Sequence, residues 1–380
     1  MKLLLLLALL SAQSSVENAW NLIAAGKRDE AKSLLLALVQ TEAQNAEAHL
    51  LLGSLLMEDG AKDDSLLHLK EGVRLTPKSA AAHNALGEAY TTFANPKAAR
   101  PEFERAVTLD PALAQAHVNL AAILLEQGES EAAIPHLDKA LRHFAGKPDA
   151  AYPHYLRAKT YNTDAKKAAS ELERAVALRP DFAEAWSDLG EARKTLFNDE
   201  GALEAYRRAV KLAPDDAIAQ TRLGAALLDA GNAHEAAPHL EEAARLDPTN
   251  QSALNALQRA LREDGQIQKA EAAKKRLAEV LLKRATDDQK LVEAVATNNA
   301  GAGLEKKGDL PAAVAKYRTA LELNPNHIGI RTNLAVALLK LGQWDEGLAQ
   351  LKEALRRNPT DATLSKALDD ALQQYQARPK

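Results

Sequence analysis

Seven prolines that each follow a helical apolar pattern, Pro77, Pro111, Pro180, Pro214, Pro248, Pro325 and Pro359, recur with a commonest separation of 34 residues. The two wider gaps keep the period: 111 to 180 is two periods plus one residue, and 248 to 325 is two periods plus nine. A fixed recurrence of this length marks an array of supersecondary units, each leaning on the next, where 380 residues would otherwise suggest two or three globular domains.

The stretch from Ala183 to Asp216 shows one period most plainly, with Trp186, Leu189, Gly190, Ala202, Tyr206, Ala209 and Pro214 in order. Large residues fill the space between two helices, small ones stand where their backbones approach, and proline stops the second helix. Gly26, Gly60, Gly128, Gly231, Gly265, Gly308 and Gly342 share one place in the register, where the end of the first helix calls for a left-handed residue. Asp29, Asp63 and Asp345 follow as caps for the second helix, and Pro311 stands near a helix start, where its missing donor costs nothing. Pro101, Pro135 and Pro238 are expected in or near the first turn of second helices.

Composition agrees with this grammar. Ala and Leu dominate the apolar residues and aromatics are only 4 %, which suits closely packed helices and predicts an all-α fold. A net charge of −4 gives no basic field to hold a phosphate backbone, so no nucleic-acid partner is expected. There is no cysteine, hence no disulfide, thiolate metal site or lipidated cysteine. At the N-terminus, Lys2, the apolar run Leu3 to Leu10 and the small residues Ser11-Ala12-Gln13-Ser14 read as a signal peptide over residues 1–12, which predicts a periplasmic or secreted bacterial protein. If this segment is instead the start of the first repeat helix, the protein is cytoplasmic. Eight apolar residues are too few to span a bilayer, and no other run is long enough, so no integral membrane segment is expected after cleavage.

These residues together resemble the tetratricopeptide repeat (TPR) family. The resemblance covers nearly the whole chain and implies a right-handed superhelical solenoid of about ten helix-turn-helix units, with a concave groove lined by the first helix of each. Units are read at 12–45, 46–79, 80–113, 114–147, 149–182, 183–216, 217–250 and 251–284, so that residues 13–284 hold eight. Residues 285–293 are an insertion that extends a helix, 294–327 and 328–361 are two further units, and 362–380 form a capping helix and tail. The fifth unit shortens its turn at Asn162-Thr163-Asp164, and the insertion is a candidate division between two lobes.

On the groove side the resemblance places Asn84, Asn119, Asp188, Arg222, Asn255, Asn299 and Asn333, with Glu88, Lys159, Glu191 and Arg259 about one turn further along and the aromatic pair Tyr152 and Tyr155 beside them. Trp186 is assigned to the core, and Trp20 and Trp344 to the terminal units. The two-carboxylate clamp with which some family members grip acidic chaperone tails is absent. Asn119, Asn299 and Asn333 resemble the asparagine ladder by which the repeat region of the O-linked N-acetylglucosamine transferase holds peptide backbone, here interrupted by Leu51 and Ala256. The expected function is a non-catalytic scaffold or adaptor that binds a protein or peptide segment. The alternatives are a structural assembly subunit of an envelope complex and a substrate-presenting accessory of a secretion or carbohydrate-modifying enzyme.

No catalytic residue, cofactor or metal ligand is expected. His49, His83 and His117 recur at the period, with His154 near the same place, but equivalent positions of stacked hairpins lie about 8–10 Å apart, too far to share one zinc, and they are assigned to packing. Gly301-Ala302-Gly303-Leu304-Glu305-Lys306-Lys307-Gly308 imitates a phosphate loop, yet no strand precedes it and Asp309 stands where lysine is needed.

Overall fold

A computed structural model describes residues 15–359 and 361–377, so the signal-peptide reading of residues 1–12 lies outside the described residues. Among those residues the elements are α-helices and one 3₁₀ turn, with no strand. The turn glycines explain the hairpins: Gly26, Gly60, Gly128, Gly231, Gly265, Gly308 and Gly342 all have φ between 74° and 84°, a left-handed conformation that is free of steric cost only without a Cβ. Ala94 and Phe197 take the same place in the third and sixth hairpins with φ of 54° and 58°.

The chain forms two compact units, one running to Leu246 and one from Asp247. The first unit pairs α1 (residues 15–24) with α2 (Arg28–Thr41), α3 (Ala46–Glu58) with α4 (Lys62–Leu75), α5 (Ala80–Thr92) with α6 (Pro96–Leu109), and α7 (Ala114–Glu126) with α8 (Ser130–His143). It continues with α9 (Ala151–Thr160) and α10 (Ala165–Leu178), α11 (Ala183–Thr195) and α12 (Asp199–Leu212), and α13 (Ala217–Asp229) and α14 (Ala233–Leu246). Each second helix also packs on the next first helix, as α4 does on α5 and α10 on α11, and the first helices α3 and α5, and α7 and α9, touch directly. The first helices therefore form one continuous inner row.

Within a hairpin the closest approach is a glycine against a large side chain. A Cβ on Gly190 would lie 2.5 Å from the Tyr206 ring, and Gly87 and Gly53 are similarly placed over Phe103 and Leu69. Tyr206 and Phe103 are each 1 % exposed, so the ring fills the space that the missing Cβ leaves. Trp186, assigned to the core, is half-buried against a cluster that includes Phe182, Leu189 and Ala205, its Nε1 donating to the Pro180 carbonyl at 2.9 Å.

The second unit departs from the expected register. Its α15 (Gln251–Glu263) is followed by a single helix, α16 (Ile267–Lys306), which runs for 40 residues to its pairing with α17 (Leu310–Leu323). No turn interrupts it, because no proline lies between Pro248 and Pro311 and the residues from Lys274 to Glu293 are mostly good helix formers. Residues 285–293 thus lie inside a helix, and the boundary between compact units falls at Leu246 and Asp247 instead. The unit closes with α18 (Ile328–Lys340), α19 (Trp344–Arg357) and α20 (Ala362–Gln376), where Ala371 joins Leu348 and Leu351 in a core cluster and Trp344 meets Tyr375 at 6.3 Å between ring centroids.

Two local expectations are corrected. Asp29, Asp63 and Asp345 lie inside the first turn of α2, α4 and α19, where they favour the helix dipole without capping it; side-chain caps come from residues such as Asn45, Ser79 and Asp216 at the starts of first helices. Pro101, Pro135 and Pro238 are each the sixth residue of their helices, in the second turn, where each removes one backbone donor.

The periodic histidines are buried, and each meets a partner 19 residues on, in the second helix of its hairpin. His49 faces His68 at 3.0 Å, His83 faces Glu102 at 2.6 Å, His117 faces His136 at 2.7 Å, and Gln220 accepts from His239 at 2.8 Å. In the fifth hairpin the separation is 17, His154 to Glu171 at 2.6 Å, which measures the shortened turn. The His117 Nε2–H donates to the Pro111 carbonyl at 3.1 Å, so in the neutral ring its Nδ1 is left to accept from His136.

Burial holds His117 below the ordinary imidazole pKa, and burial together with the neighbouring ring does so for His136 and His68. The sign follows: as pH falls through about 6.5 the unfolded chain takes up protons that the folded chain refuses, so stability present at neutral pH is lost on acidification. We expect His136→Glu, which recreates the His83–Glu102 arrangement, to make the first unit less acid-sensitive, as read by urea unfolding at pH 7 and 5.5. Equal acid sensitivity in the variant would show that the pair is not responsible.

Candidate functional site

The inner row of first helices carries most of the residues predicted to form a groove, and they engage one another across hairpins. Asn119 on α7 donates through Nδ2 to Asn84 Oδ1 at 3.0 Å and Glu88 Oε1 at 2.8 Å, both on α5, and Asn84 itself donates to Glu88 at 3.0 Å. Further along, Arg222 on α13 donates to Ser187 Oγ at 2.8 Å and Asp188 Oδ1 at 2.9 Å on α11, and Asp188 Oδ2 meets Lys159 Nζ on α9 at 2.7 Å. Glu191 accepts from the Tyr206 hydroxyl at 3.0 Å. Burial alone would lower the Lys159 pKa, but the hydrogen bond and charge of Asp188 outweigh it and hold the ammonium above its usual value. These side chains are cross-links between neighbouring hairpins as well as inner-surface groups.

Two of the cross-links join residues 35 apart, 84 with 119 and 187 with 222, one more than the repeat, while Arg222 also reaches Asp188 at the repeat separation of 34. The second unit has the same offset, since Asn333 on α18 donates to Asn298 on α16 at 2.9 Å; the predicted Asn299 is exposed and lies one position away from that contact. Counting by the period of 34 points to Asp188 and Asn299 and does not single out Ser187 and Asn298, which lie one place earlier. Asn255 and Arg259 on α15 are exposed.

Between the two clusters of the first unit stand Tyr152 and Tyr155 on α9, stacked with centroids 6.1 Å apart, and Tyr155 leans on Phe182 at 4.8 Å. Burial raises the pKa of both phenols, which stay protonated donors at neutral pH. A cleft opens beside each ring. One of about 320 Å³ is lined by Met57, Glu88, Thr91, Phe103, Asn119, Ile123, Glu126 and Tyr152. The other, of about 290 Å³, is lined by Tyr155, Ala158, Lys159, Leu172, Asp188, Glu191 and Thr195. Each combines an apolar floor with carboxylates at its edge. Glu126, exposed at the end of α7, was absent from the predicted set because helix-end charges are common and no spacing marks this one.

Among the described residues no group of three or more His, Asp or Glu side chains could hold a metal ion, and no helix is long and apolar enough to cross a membrane. Gly301 and Gly303 lie within α16, and a Cβ on Gly301 would press on Tyr317 at 2.9 Å, so the phosphate-loop imitation is helix packing.

Sequence profiles described as tetratricopeptide repeat match residues 16–80, 63–114, 84–153 and 200–251 with one profile, 183–216 with a second and 304–375 with a third. No curated protein matches the chain. Among solved structures, pilF of Pseudomonas aeruginosa is 19 % identical over 55 % of this chain and 95 % of its own, with a TM-score of 0.51. A tetratricopeptide repeat protein from Parabacteroides merdae is 13 % identical over 66 % of this chain and 99 % of its own, with a TM-score of 0.50. PilW, a widely conserved type IV pilus biogenesis factor, is 16 % identical over 56 % and 98 %, also with a TM-score of 0.50. At such identities the likeness is one of fold, and with the repeat profiles covering most of its length the chain belongs to the tetratricopeptide repeat family.

Proposed function

We propose that this protein is a non-catalytic interaction scaffold whose first unit holds an extended, basic segment of a partner protein against the inner row of first helices. The observation that carries this reading is the pair of clefts flanking the Tyr152–Tyr155 stack. Lys159 and Arg222 are both engaged by Asp188, whereas Glu126 at the cleft edge has no ion-pair partner within 4.0 Å among the described residues. A lysine or arginine of the guest would lay its methylenes along Met57, Ile123 and the Tyr152 ring and present its charge to Glu88 and Glu126. The test is to select displayed peptides on the wild-type protein. Enrichment of basic, extended sequences that bind the first unit supports the reading, and enrichment of acidic sequences or none opposes it.

A second reading, an assembly subunit of a cell-envelope complex, is favoured by the exposed apolar residues Leu281, Leu282, Leu291 and Val292 on α16. Export to the periplasm or beyond rests on the pattern of Lys2 and Leu3 to Leu10. Fractionation of a bacterial host expressing a C-terminally tagged chain should find a shortened product outside the cytoplasm, and full-length cytoplasmic protein would refute export.

A further inference from the structure

Among the described residues none covers the middle of α16. Residues 281–293 are exposed throughout, although Leu277 before them and Ala294 after them are buried. Charged residues here stand beside open apolar ones: Val292 is 70 % and Leu282 69 % exposed, with Leu281, Leu291 and Val295 also open. Spacing orders these residues. Leu281, Arg284, Asp288, Leu291 and Val295 follow one another at intervals of three and four, the seam of a two-helix coiled coil, with Ala285 and Val292 at its margin.

The two charges within the seam identify the occupant. Neither Arg284 nor Asp288 is within 4.0 Å of an opposite charge among the described residues, although they lie four apart on one helix. When α16 is laid antiparallel against a copy of itself about a centre at residue 286, Arg284 meets Asp288 of the second copy, and Asp288 meets its Arg284. The same register sets Leu281 against Leu291, while Leu277, already buried within its own chain, lies outside the contact. A parallel pair would oppose arginine to arginine and aspartate to aspartate, so the charges select the antiparallel orientation and fix its register. Asp287 comes near its own copy at the wet edge, a repulsion that salt screens over about 8–10 Å.

We propose that α16 is a self-association site, pairing antiparallel with α16 of a second copy of this chain in an isologous two-fold dimer. The contact is at the small end of specific interfaces, below about 1,200 Å², so the dimer is reversible and concentration-dependent. It is independent of the peptide-holding role of the first unit.

Sedimentation of the full chain across about 1–200 µM should show the mass rising from that of one copy towards two. Asp288→Arg should move the midpoint at least about tenfold higher, and the double exchange Arg284→Asp with Asp288→Arg should bring it back to within about threefold of wild type. All these positions are solvent-exposed, and unchanged helicity by circular dichroism confirms that each variant folds. Because the chain has no cysteine, a lone Ala285→Cys should form a disulfide-linked dimer, whereas Lys283→Cys on the opposite side of the helix should not. A chain that remains single at the highest concentration overturns the proposal, as does association that Asp288→Arg leaves unchanged.

Discussion

Tyr206→Ala is expected to destabilise the first unit by about 3–5 kcal/mol, the usual range for emptying a large buried aromatic site. The ring is 1 % exposed, and its hydroxyl donates to Glu191 at 3.0 Å. Its partner across the hairpin gives the sharper result. Gly190→Ala places a Cβ 2.5 Å from the ring, so in the wild type it should cost about 1–3 kcal/mol by overpacking, despite alanine's better helix propensity. In the Tyr206→Ala background the obstruction is gone, and the same Gly190→Ala change should be neutral or stabilising by up to about 1 kcal/mol. Amide exchange of α11 and α12 reads the effect locally, which suits a repeat array whose hairpins need not unfold together. Additive costs for the two substitutions would show that the glycine is present for some reason other than the ring.

The second large effect is on binding. For peptides selected on the wild-type protein, the double variant Tyr152→Ala with Glu126→Lys should lose at least about a hundredfold in affinity, near 2.7 kcal/mol, by removing an aromatic anchor and opposing the guest's charge. These two residues are preferable to Asn119, Asp188 or Arg222, which hydrogen-bond neighbouring hairpins to one another and whose loss would loosen the surface itself. Fluorescence anisotropy of a labelled selected peptide measures the change, with unaltered helicity as the control. Retained affinity would remove the clefts from the binding surface.

Much of the hairpin fold is legible in the sequence. Gly60 and Gly128 occupy left-handed turns because a side chain there would collide with its own carbonyl, a local fact that one residue states alone. The pairing of Gly190 with Tyr206 is nearly as local, since both belong to one hairpin of fixed geometry. The functional surface was less legible. Register points to Tyr152, Tyr155, Lys159 and Asp188, but not to Ser187 and Asn298, because a long side chain on one hairpin reaches neighbours at separations of both 34 and 35 on the last. Which of these neighbours is reached belongs to the packing of one hairpin on the next and leaves no mark in either one's composition.

The chain's own residues determined the period, the helical class and the turns, because backbone sterics and hydrophobic spacing act within a few residues. Tertiary structure alone decided that Asp188 is shared by Lys159 and Arg222, that Glu126 borders a cleft with Tyr152, and that the division of compact units falls at Leu246. It also decided that α16 continues through residues 285–293 and leaves its middle bare. Each of these depends on which helices lie beside one another, a contest among distant surfaces that local preference does not resolve.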